Sequence, residues 1–174
     1  VLLLDQNRAH WDQLLIGRGL ASLQRAEQLG GASGPYALQA AIAACHARAH
    51  TPGETEWARI VDLYGELARL SPSPIVELNR AVAVAMASGP AAGLKAVDAL
   101  TAEPYLKDYH LLPSVRGDLL SKLGRLEEAG AEFQRARIAH PQRSRTEPLT
   151  GTCRVVRPRG SARPLTGPAA AFID

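Results

Sequence analysis

Glycine and proline cut residues 8–139 into seven short segments, and within each the apolar side chains recur at spacings of three and four. The breaks fall at Gly30-Gly31 to Gly34-Pro35, Thr51-Pro52-Gly53, Ser71-Pro72-Ser73-Pro74, Gly89-Pro90, Glu103-Pro104 and Gly124. Glycine tolerates the left-handed turn after a helix, and proline suits the first helical position. No segment alternates with a period of two, so strands are not expected. The spacing predicts helices over about 8–29, 35–48, 56–70, 74–87, 90–101, 110–123 and 126–139. Connections this short make consecutive helices antiparallel neighbours. The expected fold is therefore all-α, a stack of antiparallel helical hairpins with about seven helices.

The fourth segment organises the rest. Ser73 can cap it and Pro74 opens it. Leu78, Ala81, Val82, Ala85 and Met86 form one apolar face, while Ala83, Val84 and Ala87 add apolar surface on other sides. Such a helix expects neighbours on more than one side. Asn79 and Arg80 are its polar exceptions; they either satisfy neighbouring groups or line a groove. In the first helix, Trp11, Leu14, Leu15, Leu20 and Leu23 are the expected buried face. Leu38, Ala41, Ile42 and Cys45 share a face of the second, and Trp57, Ile60, Val61, Tyr64, Leu67 and Ala68 one of the third. Leu94, Val97 and Leu100, then Leu112, Val115, Leu119 and Leu123, then Ala129, Phe133 and Ala136 serve the last three.

At 174 residues the chain is long enough for one domain with a real core. The apolar share of 46% leans on alanine and leucine, with only 5% aromatic, which suits close helix packing. No apolar run is long enough to span a membrane. Val1-Leu2-Leu3-Leu4-Asp5 lacks an initiator Met and a basic stretch, and reads as the point where a longer chain was cut. Residues 141–174 carry six arginines against Glu147 and Asp174, a charge of +4, so the other 140 residues carry −1 of the total +3. The basic character belongs to an expected irregular Pro/Arg/Gly-rich tail, and direct sequence-specific nucleic-acid binding by the helical part is not expected. Two cysteines make no disulfide framework, and a reducing, cytoplasmic setting is the default.

Little points to catalysis. His46 and His50 have helical i, i+4 spacing beside Cys45, but no second cluster completes a metal site. There is no phosphate-cradling glycine loop, no Gly-x-Ser-x-Gly and no paired-carboxylate arrangement. No catalytic residue, metal or cofactor is assigned, and the chain is not read as an enzyme.

The last hairpin matches the tetratricopeptide pattern in part. Ala129, Phe133, Ala136 and Pro141 fall on second-helix signature positions, Gly117 on the close-packing glycine and Leu120 where a Tyr is usual; Pro113 and Arg116 miss the Trp and Leu positions. The blocks Asp5-Gln6-Asn7-Arg8 to Trp11-Asp12, Gly34 to Ala47, Ser73 to Ala83 and Tyr109 to Arg116 together resemble the C-terminal extension of extracytoplasmic-function sigma factors that carry a tetratricopeptide-like domain. The resemblance spans roughly residues 5–140. It implies two upstream domains that bind core RNA polymerase and read promoter elements, with this piece controlling the sigma factor's activity. Family members usually have Asp where Asn7 stands here.

On this reading residues 1–12 are the junction after the sigma domains, 13–140 the helical domain and 141–174 the tail. Asp5, Gln6, Arg8, Trp11 and Asp12 are the expected interface with the sigma domains, an aromatic set among charges. Gln39, His46, Asn79, Arg80 and Arg116 are the expected groove for a peptide or protein partner. RNA polymerase is contacted only indirectly, and no membrane is involved. The alternative is an all-α small-ligand-binding protein or enzyme using a groove between helices. Two titratable groups converging in a closed cavity would mark it.

Overall fold

The computed structural model describes residues 6–139. Within them the chain forms seven α-helices and no strand: α1 (Gln13–Gln28), α2 (Pro35–Arg48), α3 (Trp57–Leu70), α4 (Pro74–Ser88), α5 (Pro90–Leu100), α6 (Leu111–Lys122) and α7 (Leu126–Ala139). Short 3-10 turns stand at Arg8–His10, Pro52–Glu54 and Pro104–Leu106. Each helix packs on the next in sequence, α1 on α2 through to α6 on α7, giving the stack of hairpins. Pro141 and the 141–174 tail lie outside the described residues.

The punctuation acts as its chemistry dictates. Gly124 takes φ +77° after α6. Its N–H donates to the Ser121 carbonyl (3.0 Å), and the Arg125 N–H reaches the Leu120 carbonyl (2.9 Å). These two bonds satisfy carbonyls that the helix end leaves unpaired. Gly89, at φ +93°, is the single residue between α4 and α5. Ser73 does not cap α4 with its side chain; its carbonyl simply accepts the Glu77 N–H at 3.1 Å.

Helix α4 is the hub. Val76 and Ala83, two turns apart, pack into one core with Leu38, Ile42 and Cys45 of α2 and Ile60, Leu63, Tyr64 and Leu67 of α3. Leu78 and Ala81 pack into a second core with Leu94 and Val97 of α5, Leu106, Leu112, Leu119 and Leu120 of the α6 region, and Ala129 of α7. Fully burying a leucine such as Leu78 or Leu120 contributes roughly 1.5–3 kcal/mol, so the two cores are both substantial and α4 joins them. Met86, expected on the buried face, is exposed, as are Ala87 and Ser88 after it.

Two glycines set helix spacing. A Cβ on Gly117 of α6 would lie 2.8 Å from Phe133 Cε1, so the ring of α7 rests in the gap that the glycine leaves. Gly93 of α5 sits directly on Ala85 of α4: a Cβ there would overlap the Ala85 methyl and lie 2.9 Å from Ala85 Cα. Helix α1 departs from expectation. It begins after Asp12, so Trp11 is outside it, and Leu23 with half-buried Ile16 and Leu20 faces inward. Leu14 (64%) and Leu15 (61%) point to solvent.

Candidate functional site

The junction block is folded onto the helical body. Asn7 Oδ1 accepts the Ala9 N–H at 3.1 Å and caps the Arg8–His10 turn. This is a job that Asn does as well as Asp. The turn drives Arg8 inward until it is only 6% exposed. Arg8 Nη1 donates to the carbonyls of His46 (3.1 Å), Ala49 (2.9 Å) and Thr51 (3.2 Å), and Nη2 to Thr55 Oγ1 (3.2 Å). The last turn of α2 leaves carbonyls without intrahelical donors, and a planar guanidinium with five N–H groups is well shaped to satisfy several at once. Trp11 covers the clasp, its ring centroid 5.3 Å from Arg8 Cζ, and Trp11 Nε1 donates to Gln6 Oε1 at 3.2 Å. Asp12 Oδ1 accepts the Leu15 N–H at 3.0 Å and caps α1.

Arg8 is therefore not a surface contact, as the junction reading expected. Its charge is spent on backbone oxygens inside the chain. Gln6 and Trp11 are half-buried around it, Asp12 is exposed, and Asp5 lies outside the described residues. Sequence reasoning missed Ala49, Thr51 and Thr55. The only available signal was the Pro/Gly loop after α2, which implies carbonyls in need of donors.

His46 lies beneath the clasp. It is buried, and its ring meets Trp57 edge-on at 5.2 Å and 76°. Burial, with Arg8 adding to it, pushes its pKa below the ordinary 6.5. The folded state thus holds His46 neutral where the unfolded chain takes up a proton. As pH falls through 6.5 the unfolded state binds more protons, and stability declines until the folded-state pKa is also passed. We expect wild-type melting temperature to drop between pH 7.5 and 5.5, by at most about 1.4 kcal/mol of stability per pH unit, and His46→Gln to flatten that slope. Equal slopes in the two proteins would remove His46 as the cause. The His46/His50 pair does not hold: α2 ends at Arg48, and the His50 N–H donates to Glu54 Oε2 at 3.0 Å in the following turn. Among the described residues no group of three His, Cys, Asp or Glu is placed to hold a metal ion.

The five expected groove residues come from three helices, Gln39 and His46 from α2, Asn79 and Arg80 from α4 and Arg116 from α6. Arg80 pairs with Glu77 on its own helix at 3.4 Å and runs past Gly65 of α3. Asn79 is buried beside it on α4, and Gln39 is half-buried on α2. His46 belongs to the clasp. Arg116 bridges Asp98 of α5 (2.8 Å) and buried Glu132 of α7 (2.8 Å), and Glu132 also accepts from Arg135 at 3.0 Å. The Asp98 bond, and then both carboxylate charges, hold the Arg116 guanidinium above its usual range. This network walls a cleft of about 310 Å³ that Leu106, Leu112, Pro113 and Ile138 line on its apolar side. Arg116, Glu132 and Arg135 satisfy one another on one wall, while Lys107 and Asp108 line the same cleft without an ion pair among the described residues. Among the described residues no helix is long and apolar enough to cross a membrane.

No family model matches the chain. An uncharacterized protein of Rhizobium meliloti (strain 1021) is 47% identical over 136 residues, 78% of this chain. The chain spans about 31% of that relative's length.

Proposed function

We propose that this chain is the C-terminal regulatory domain of an extracytoplasmic-function sigma factor, a cytoplasmic protein-interaction module that modulates promoter-specific initiation through contact with the sigma domains or a signalling partner. One observation carries the reading. Several residues that mark the family resemblance make long-range contacts in this fold: Arg8 clasps the end of α2, the Gly34–Ala47 block is α2 itself, the Ser73–Ala83 block opens the hub helix, and Arg116 ties α5 to α7. The R. meliloti relative supports the reading by its length, since about 69% of it lies outside the matched part, with room for further domains.

The test is a calorimetric titration of this chain against a separately purified fragment holding the sigma domains, followed by promoter-directed run-off transcription with and without the chain. Saturable binding together with a change in transcript yield is the expected result. Absence of both at high concentration would sink the reading and direct attention to a small ligand in the α5–α6–α7 cleft.

A further inference from the structure

We propose that the outward face of α1 is a docking surface for an acidic amphipathic helix. The face is opposite to Ile16, Leu20 and Leu23, which turn toward α2. At about 100° per residue, Leu14, Arg18, Arg25 and Leu29 fall within roughly 30° of one line along α1, with Ala21 and Ser22 between them. Every one of these residues is exposed, Leu29 at 71%. The row is about 22 Å long, at 1.5 Å per residue, the footprint of a four-turn helix. The end helix of a helical stack normally shows a polar outer face to stay soluble. This one shows leucine at both ends.

The charges choose the occupant. Arg18 and Arg25 are both exposed on this face and, like Arg48, Arg69 and Arg137, make no ion pair among the described residues, so both guanidinium groups are open to a carboxylate partner. A second copy of α1 is a poor match. The row is symmetric about residues 21 and 22, so an antiparallel copy places Arg18 against Arg25 and a parallel copy places each arginine against itself. Like charges face each other in both. A helix with carboxylates two turns apart, flanked by leucines, meets both the cations and the apolar ends.

The source is the sigma domains, and that part rests on the proposed function. The clasped segment 6–12 runs straight into the Leu14 end of the face. A domain attached ahead of it is tethered beside the surface, and short tethers give effective concentrations on the order of millimolar.

Two measurements test this. The first titrates the chain with a synthetic helical peptide carrying Leu at its ends and Glu at the two inner facing positions, and with the same peptide carrying Lys there. The Glu peptide should bind. An Arg18→Glu/Arg25→Glu variant, checked for unchanged melting, should weaken it by roughly tenfold or more and gain affinity for the Lys peptide. Tyr105→Ser, at a remote exposed site, should change nothing. No binding of the Glu peptide, binding indifferent to the charge swap, self-association lost on Leu14→Ser, or capture by phosphatidylserine vesicles in place of the peptide each overturns the surface. The second repeats the sigma-fragment titration with the same variant. Weakened binding supports the source. Unchanged binding, or no binding even by the wild-type chain while the Glu peptide binds, overturns the source; the latter counts also against the proposed function.

Discussion

Gly93→Ala should destabilise the protein by about 3 kcal/mol, the upper range for overpacking a tight contact. Alanine in place of a mid-helix glycine ordinarily gains up to about 1 kcal/mol of helix propensity. Here the sign reverses. The new methyl would overlap the Ala85 side chain, lie 2.9 Å from Ala85 Cα and 3.2 Å from the Ala81 carbonyl oxygen. Two of these obstacles are backbone, which cannot rotate aside, so α5 would have to move off α4 and open the core around Leu94 and Val97. Gly130→Ala on α7 is the control. A Cβ there meets nothing within 4 Å, and the change should gain roughly 0.5–1 kcal/mol. Urea unfolding of the two variants separates the effects. Ala85→Gly added to Gly93→Ala should recover part of the loss, because the pair shares one contact. Equal stability of the two alanine variants would show that the α4–α5 contact yields without cost.

How much of this was readable from residues alone varies by element. The hub role of α4 was legible because Pro74 fixes its start and apolar residues surround it, which leaves few places for it except between two layers. The stops at Gly30, Gly89 and Gly124 were legible from the conformation that glycine alone adopts easily. The Gly117–Phe133 contact was legible through the repeat spacing. Gly93 was not: inside a helical pattern it looks like a weakness, and the atoms that require it belong to another helix. The phase of α1 differs from the expected one because Trp11 lies outside the helix. Asp12 caps the helix after it, and Ile16 rather than Leu14 or Leu15 then joins Leu20 and Leu23. The partners of Arg116, one of the five polar residues grouped into a groove, were hidden for a related reason. Arg116 finds its carboxylates on α5 and α7, and nothing local to α6 announces them.

Arg8 is the case where sequence is least informative, and its removal should have the second large effect. Its acceptors are three carbonyls and one hydroxyl that lie 38 to 47 residues away. Carbonyls have no residue identity, so only the Pro/Gly loop after α2 hints at them. Arg8→Ala should cost about 2–4 kcal/mol, since hydrogen bonds to a charged group contribute roughly 1.5–3 kcal/mol and abandoned buried acceptors add desolvation. Water can replace the donor at the Thr51 carbonyl, where the bond is only partly buried, but has less access to those of His46 and Ala49. The loss should therefore concentrate at the end of α2 and the 49–55 turn, and hydrogen exchange should speed up there before α5–α7 respond. Arg8→Met keeps a long stem beneath Trp11 and removes only the donors. If it is as damaging as alanine, the hydrogen bonds carry the effect; if it is near wild type, the packing does. The Met variant also tests His46. Burial is the larger cause of its lowered pKa and Arg8 the smaller, so acid sensitivity should diminish in Arg8→Met without vanishing. Complete loss of that sensitivity would mean that the guanidinium, and not the dry surroundings, keeps His46 neutral.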